Sequence, residues 1–326
     1  MPVDVREYRE GDEAAILDLF ARSFHAPRSR EHFDWKYRRS PYGNAHISLA
    51  FDDEQRLVGH YAAYPVPFRD RGRDLLAHQV GDTMTEKSVR HIGRGPSSVF
   101  GRTALHFYER FCEERIAFNY GFNVDNVQKF SLRFLRSERV EPVAYRRRDI
   151  ASLRRLSRLE RIARGYRLEL VADATPEFDE LFARVERDYE FLVRRDAQYL
   201  RWRHLQAPER ASFVVAIRKW GKLAGWSAFR VRENQLMWGD ALFDRHFPDA
   251  PEILLRHVAP QYGVAAIEAW FPPRPAWFDA ILDDLRFERR QEPQDLSLMC
   301  VPFAMQDAVA RMRQALYYTA ADSDLF

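Results

Sequence analysis

The stretch Arg90-His91-Ile92-Gly93-Arg94-Gly95-Pro96 decides how the rest of the sequence is interpreted. It follows a strand-like run at 75–86 and precedes a run with helical periodicity at 97–114. Two glycines one residue apart allow a tight turn whose N–H groups point inward, and the positive end of the next helix also attracts an anion. The stretch therefore predicts a phosphate-binding loop at the start of a helix.

An Arg-x-x-Gly-x-Gly string by itself also fits a basic surface turn. The surrounding order favours phosphate binding, because the loop is followed by an amphipathic helix, a short strand at 116–122, and a turn at 123–126 that opens another helix. A Rossmann fingerprint is disfavoured, since it needs Gly-x-Gly-x-x-Gly directly after a strand and an acidic residue about 20 positions later.

This order of strand, loop, helix, strand and Asn-bearing helix resembles the core of the GNAT acyltransferase superfamily. The resemblance implies an α/β fold with a mixed sheet, in which two strands splay apart to admit the pantetheine arm of acyl-CoA. Acetyl-CoA or another acyl-CoA would be the co-substrate, with its pyrophosphate held by the amides of the glycine loop.

The resemblance assigns acyl-CoA binding to positions in three places: the end of the strand, the loop with its arginines and a following hydroxyl, and the start of the later helix. These positions are Met84, Thr85, Arg90, His91, Ile92, Gly93, Arg94, Gly95, Ser97 and Asn126.

The catalytic positions depart from the pattern that the resemblance implies. Transfer to an amine needs a base for the ammonium proton and an acid for the departing thiolate. GNAT enzymes often supply the base from the strand before the loop, but those positions hold Gln79 and Gly81, and no Tyr for the acid occurs between 123 and 137. His78 and Asp82 are the candidate catalytic residues, on the condition that a β-bulge re-aims the strand.

The second half of the chain repeats the first. Trp35 and Trp202 lie in similar helical segments 167 residues apart (202 − 35), and 57–61 matches 223–227 at almost the same offset. Nearly constant offsets indicate two similar domains in tandem. No glycine pair follows Gly239-Asp240, so the second domain is expected to lack a donor site. Because Gly81-Asp82 recurs there, a fold-supporting role is favoured for Asp82, and ordinary packing is favoured for His78.

We expect a GNAT acyltransferase domain at 1–148, a basic linker helix at 149–165, a degenerate GNAT-like domain at 166–302, and a C-terminal helix with an acidic tail at 303–326. The linker has apolar residues every third position between arginines. A helix that packs this stripe onto a domain is favoured over one that lies on anionic lipid or nucleic acid, because the stripe lacks bulky aromatic residues.

Composition narrows the classes of protein. The 326 residues are 46% hydrophobic with a net charge of +3, which predicts a folded globular chain without a strong nucleic-acid signal. Two cysteines without a Cys/His cluster support neither a disulfide framework nor a metal site. No apolar run reaches the length of a membrane span or a signal region, so a cytoplasmic protein is expected.

The function predicted from these observations is acyl-CoA-dependent N-acylation, in the first instance N-acetylation, of an amine on a small molecule, sugar or peptide. Three alternatives stay open: an aminoacyl-tRNA-dependent transferase of the peptidoglycan-branching type, a catalytically silent CoA- or metabolite-binding protein, and a nucleic-acid binder that uses the linker arginines. The second domain could also supply the groups on the acceptor side.

Overall fold

The computed structural model describes residues 3–208 and 212–326, so the first two residues of the expected GNAT domain and positions 209–211 of the expected second domain lie outside the described residues. The chain folds into two compact units that are each assembled from separate segments. Unit 1 contains the residues up to Pro67, Leu75–Pro142 and Gln294–Arg313, whereas unit 2 contains Phe68–Asp74, Val143–Pro293 and Gln314–Phe326.

The described helices and strands follow one another in the mixed order that the sequence predicts. In the first part of the chain they are β1 (Asp4–Glu7), α1 (Glu13–Phe24), α2 (Arg30–Tyr37), β2 (His46–Phe51), β3 (Leu57–Asp70), β4 (Arg73–Thr85), α3 (Val99–Phe111), β5 (Phe118–Asn123), α4 (Asp125–Phe134) and β6 (Glu138–Pro142).

The later elements repeat this alternation. They are β7 (Tyr145–Asp149), α5 (Arg158–Ala163), β8 (Tyr166–Leu170), α6 (Glu177–Tyr189), β9 (Phe191–Val193), α7 (Ala197–Leu200), β10 (Ser212–Lys219), β11 (Lys222–Arg232), β12 (Gln235–Phe243), α8 (Ala250–Val258), β13 (Ala266–Trp270), α9 (Ala276–Asp284), β14 (Glu288–Arg290), β15 (Ser297–Pro302), α10 (Ala308–Ala315) and β16 (Leu316–Tyr317).

The sheet of unit 1 runs in the order β1-β2-β3-β4-β5-β15-β6 and carries helices on both faces. On one face, α1 and α2 bury Leu19 and Phe33 against strand residues that include Leu49. On the other face, α3 buries Phe107 and Tyr108. Strands β4 and β5 are parallel, and their register covers only two residue pairs, His78 with Asn119 and Gln79 with Tyr120. Because β4 continues to Thr85 without further pairing to β5, a gap is left between their ends.

Unit 2 contains a second sheet in the order β14-β7-β13-β12-β11-β10-β8. This arrangement differs from the sequence interpretation at two strands. The expected domain at 1–148 does not keep all of its strands in one sheet, because β6 lies in the first sheet while β7 pairs with β13 in the second. Strand β15 lies within the expected second domain at 166–302 but pairs with β5 and β6 in unit 1. The two units therefore exchange strands that are far apart in sequence.

The segment 149–165 also differs from the single helix expected there. A 3₁₀ turn covers Ile150–Ser152, and α5 begins only after Ser157. The Ser157 hydroxyl accepts a hydrogen bond from the amide of Glu160, whose carboxylate accepts one from the amide of Ser157. This capping box starts a new, short helix inside the segment.

The apolar stripe of the same segment divides into two parts. Leu153 and Leu156 are buried, as the interpretation of a packed linker requires. Leu159 and Ile162, however, are 79% and 55% exposed, so the α5 part of the stripe is largely in solvent.

Candidate functional site

A cavity of about 490 Å³ lies in unit 1 at the gap beyond the β4–β5 pairing. The end of β4 contributes two threonines, the glycine loop contributes arginines and backbone, and the starts of α3 and α4 contribute apolar side chains and one amide. The lining residues are Thr83, Thr85, Arg90, Gly93, Arg94, Gly95, Ser98, Val99, Phe100, Val124, Asn126, Val127 and Phe130.

Both loop glycines are required by the backbone of the cavity wall. Gly93 and Gly95 have φ values of +73° and +54°, in the left-handed region that favours glycine. A Cβ on Gly93 would overlap the backbone of Ser97 and Ser98, whereas one on Gly95 would lie 2.9 Å from the ring of Phe134. The loop can therefore close tightly only because these two positions lack side chains.

The loop and the first turn of α3 present unpaired amides at the cavity. Within residues 3–208 and 212–326, the N–H groups of Gly93, Gly95, Val99 and Phe100 find no acceptor. The next amide, that of Gly101, is already capped by the Ser98 hydroxyl at 3.1 Å. Free N–H groups at a glycine turn and a helix N-terminus form an anion-binding arrangement.

The other predicted loop residues lie beside the cavity. His91 is exposed, and Ile92 packs against the apolar cluster that contains Val89 and Val99. The Ser97 hydroxyl donates to the Arg94 carbonyl at 2.9 Å and accepts from the Arg94 amide at 3.2 Å, so it closes the loop. Of the two neighbouring serines, Ser98 lines the cavity and Ser97 does not.

A backbone irregularity near the end of β4 sets which side chains face the cavity. Asp82 has a φ of +50° in the middle of the strand, which marks a β-bulge at Gly81-Asp82. After the bulge, Thr83 and Thr85 line the cavity, while the Met84 side chain is buried in the cluster beneath α1 and α2. Arg90 fastens the loop to this strand by donating from Nε to the Thr85 carbonyl at 3.0 Å.

The bulge directs Asp82 into a buried ion cluster on the α2 side of the sheet. Its carboxylate accepts from Lys36 Nζ at 2.9 Å, from the Tyr37 hydroxyl at 2.5 Å and from Arg28. Burial by itself would raise the pKa of Asp82, but Lys36 and Arg28 outweigh it and hold the pKa well below its usual range. Asp82 is thus a fixed anion, and these contacts agree with its fold-supporting interpretation.

His78 lies on the other face of β4, in the core beneath α3, and is not among the cavity-lining residues. Its Nε2 is 3.2 Å from His46 Nδ1, and its Nδ1 is 3.7 Å from the Cys112 sulfur. Burial, with a smaller contribution from His46, lowers the pKa of His78 to about 3. These surroundings favour a packing role over proton transfer.

The buried His78 predicts a pH-dependent stability. Its pKa is lower in the folded state than in the unfolded chain, so the stability it contributes is complete above about pH 6.5 and is lost as the pH falls towards 3. We expect the free energy of unfolding of His78→Gln to fall less steeply between pH 6 and pH 5 than that of the wild type, by about 1.4 kcal/mol per pH unit. Urea unfolding at each pH measures this slope. A slope for His78→Gln equal to that of the wild type would contradict the prediction.

Two further buried polar residues lie on the α2 side of the sheet, and the sequence analysis missed one of them, His60. His60 is 1% exposed, and its Nδ1 lies 2.7 Å from the Asp82 carbonyl oxygen. Burial lowers the pKa of His60 to about 4, so the ring is neutral at pH 7 and Nδ1 is the donor. His60 Nε2 and Gln79 Oε1 have no hydrogen-bond partner among the described residues. No spacing in the sequence pointed to His60, because only the pairing of β3 beside β4 brings it to Asp82.

Unit 2 contains a counterpart of the Asp82 cluster. Asp240 accepts from Arg195 Nε at 2.8 Å and lies 3.0 Å from His204 Nε2. Arg195 and His204 stand 167 positions after Arg28 and Tyr37, the same offset that separates the two tryptophans of the sequence repeat. The equivalent arginine thus binds the equivalent aspartate in each unit, which supports the duplication inferred from sequence.

Unit 2 differs from unit 1 where its donor cavity would lie. Aromatic rings fill the region beyond the β12–β13 pairing: Trp238 packs on Phe271 with ring centroids 4.8 Å apart, and Phe271 packs on Phe278 at 5.2 Å. Trp226 and Trp238 are completely buried, so they belong to the core of this unit. Unit 2 thus differs from unit 1 in two related ways: aromatic rings fill this region, and the sequence after Asp240 has no glycine pair.

Two other classes of site were tested on the described residues. No group of His, Cys, Asp and Glu side chains there is arranged to hold a metal ion. None of the described helices combines the length and the apolar character needed to span a membrane.

A mixed sheet, splayed strands and a glycine loop at a helix start are the features that the resemblance to GNAT acyltransferases implies. Residues 4–132 match the sequence profile described as acetyltransferase (GNAT) domain. No curated protein matches the sequence. The first part of the chain is therefore similar to a GNAT domain, as the resemblance of the glycine loop and its flanking elements predicted.

Solved structures extend the similarity to the whole chain. A probable N-acyltransferase from Enterococcus faecalis V583 has a TM-score of 0.69 and 13% identity, covering 94% of this chain and 74% of that chain. A tandem GNAT protein from the clavulanic acid biosynthesis pathway has a TM-score of 0.59 and 13% identity, covering 92% and 98%. Saccharomyces cerevisiae N-myristoyltransferase with bound myristoyl-CoA has a TM-score of 0.58 and 13% identity, covering 92% and 84%. The expected tandem GNAT-like α/β fold is thus confirmed.

Proposed function

We propose that unit 1 binds an acyl-CoA in the 490 Å³ cavity and transfers its acyl group to an amine. The observation that carries the proposal is the set of unpaired amides at Gly93, Gly95, Val99 and Phe100, beside two arginines. Together they offer hydrogen-bond donors and positive charge to a pyrophosphate. Acyl-CoA supplies the activated thioester; the chain supplies binding and orientation.

The remaining wall of the cavity fits the rest of such a donor. Asn126 provides an amide that can pair with a pantetheine amide, and Thr83 and Thr85 border the gap between β4 and β5. Val124, Val127 and Phe130 form an apolar side. Acetyl-CoA is the first donor to test. The similarity of the fold to N-myristoyltransferase makes a long-chain acyl-CoA the second.

The acceptor is proposed to be an amine on a small molecule, sugar or peptide. A cytoplasmic location remains a prediction.

The glycine loop favours CoA over aminoacyl-tRNA as the donor. Its amides suit a pyrophosphate, and in unit 1 they lie at the end of the splayed strands.

Calorimetric titration with acetyl-CoA and myristoyl-CoA tests donor binding. We expect Arg94→Glu to weaken binding at least about tenfold, because it places a carboxylate beside the pyrophosphate site; tenfold corresponds to ~1.4 kcal/mol. Arg94 is exposed and its side chain has no ion pair among the described residues, so the substitution should leave the fold intact. Arg187→Glu on α6 of unit 2 makes the same change in net charge and should bind like the wild type. A wild type that binds neither donor, or equal affinities for the two variants, would refute the donor site.

A catalytically silent binding protein is the second candidate. The surroundings of the two predicted bases favour this candidate. Asp82 is held by Lys36 and Arg28, and His78 is buried and does not line the cavity. Release of CoA thiol in the presence of a panel of amines distinguishes the candidates. Binding with thiol release supports the transferase, whereas binding without thiol release across the panel supports the silent protein.

A further inference from the structure

Three exposed apolar side chains of unit 2 lie on α5 and on the turn that packs against Gly165, just beyond the end of α5. Leu159 is 79%, Ile162 55% and Trp220 76% exposed. The Trp220 amide donates to the carbonyl of Gly165 at 2.9 Å, and its indole lies over Gly165, three residues beyond Ile162. We call Leu159, Ile162 and Trp220 the α5 surface.

The exposed residues Leu159 and Ile162 lie on a regular helix and not on an irregular loop. The capping box between Ser157 and Glu160 fixes the start of α5, and Leu159 and Ile162 are three residues apart on one side of it. The preceding apolar residues of the stripe, Leu153 and Leu156, are buried. Single exposed apolar residues are ordinary, but adjacent ones with a large aromatic ring mark an interaction surface.

Positive charge without acidic partners surrounds the α5 surface. Arg155, Arg158, Arg164 and Arg167 are exposed, and within the described parts of the chain they form no ion pair. Glu160 is already paired with Arg154 at 2.5 Å. Such a set of cations attracts an anionic surface.

The pKa values of neighbouring groups indicate that these arginines lie close together. Burial, and then Arg155 and Arg158, lower the pKa of Arg161. Burial, and then Arg161 and Arg155, lower the pKa of His257 on α8. The facing groups from α8 are thus His257 and Arg256, and Arg256 is engaged by Glu252 at 3.0 Å. The positive region extends from α5 onto α8.

We propose that the α5 surface docks on a bilayer that contains anionic phospholipid. Aliphatic side chains beside arginines suit the boundary between headgroups and acyl chains, and an indole suits the headgroup level. Each cation near such a surface strengthens the attraction to anionic headgroups. A nucleic acid would contact the arginines but would leave Leu159 and Ile162 in water, so the apolar residues favour lipid. The inference does not depend on the acyl-CoA proposal.

Sedimentation of the full chain with vesicles tests the proposal. We expect binding to vesicles of phosphatidylcholine mixed with phosphatidylglycerol, and at least tenfold weaker binding to phosphatidylcholine alone. Leu159→Ser with Ile162→Ser should reduce binding to the mixed vesicles at least tenfold without loss of stability, because both side chains are largely exposed. The matched control is Leu132→Ser on α4, where a leucine is 45% exposed outside the α5 surface; it should bind like the wild type.

Fluorescence locates the contact independently. Brominated lipids in the mixed vesicles should quench tryptophan emission of the wild type, and Trp220→Phe should lose this quenching while its buried tryptophans continue to emit. Absence of vesicle binding would overturn the proposal. So would vesicle binding that ignores the Leu159 and Ile162 substitutions, binding of RNA in place of vesicles, or a dimer that these substitutions dissociate in the absence of lipid.

Discussion

Gly93→Ala should weaken acyl-CoA binding by at least about tenfold, or ~1.4 kcal/mol. The new Cβ would overlap backbone atoms of Ser97 and Ser98, which cannot swing aside as a flexible side chain can. The loop must therefore open, and the free amides of Gly93 and Gly95 move out of the geometry in which they face the cavity. Calorimetric titration with acetyl-CoA and myristoyl-CoA measures the loss.

Two matched substitutions separate this effect from backbone strain. Gly95→Ala should lose less affinity than Gly93→Ala, because its Cβ meets the ring of Phe134 and that ring can adjust. Gly263→Ala places a Cβ at a comparable positive φ, +60°, with nothing within 4 Å, and should bind donor like the wild type. Equal binding by all three variants would contradict a pyrophosphate site in this loop.

The glycine loop was predictable because its determinants are local. A pair of glycines, the arginines around them and the helix that follows lie within a few positions of one another, and backbone geometry fixes what they form. The other residues of the cavity wall could be identified only from the folded structure. Thr83, Phe100 and Phe130 come from β4, α3 and α4 respectively, and the apolar periodicity of α4 alone does not tell a cavity wall from a packed face.

The β-bulge at Asp82 shows why the faces of β4 were harder to predict. Regular alternation places His78 and Asp82 on the same face of a strand. One extra residue at the bulge reverses the alternation, so His78 packs beneath α3 while Asp82 binds Lys36 on the α2 side. A single positive φ in a residue other than glycine is not visible in a sequence pattern.

The exchange of β7 and β15 between the sheets was unpredictable for a related reason. Both strands have sequences suited to a sheet, but their partners are decided by pairing over long separations, as between Ser297 and Asn123. Sequence order suggests that a strand completes the domain in which it occurs. The sheet of unit 1 therefore includes a strand from near the end of the chain, so shortening the chain before β15 would remove the strand that joins β5 to β6.

The duplication leads to the second large expected effect, at the aspartate of unit 2. Asp240→Asn should lower the free energy of unfolding by about 3–5 kcal/mol. Asp240 and Arg195 are both 0% exposed, and the carboxylate also accepts from the hydroxyls of Tyr199 at 2.8 Å and Thr319 at 3.0 Å. A neutral amide leaves the buried guanidinium with Asp322 as its one remaining counterion among the described residues, and the NH₂ group of the amide faces donors in place of an acceptor.

Urea unfolding followed by tryptophan emission suits this test, because Trp226 and Trp238 are buried in the same unit as Asp240. Asp284→Asn, an exposed change of the same kind in unit 2, should change stability by no more than about 0.5 kcal/mol. Asp82→Asn should also destabilise the chain, because Lys36 and Arg28 would lose their shared carboxylate. If Asp240→Asn instead unfolds like Asp284→Asn, the buried pair does not stabilise the repeat. The aspartate that both units retain would then need an explanation other than support of the fold.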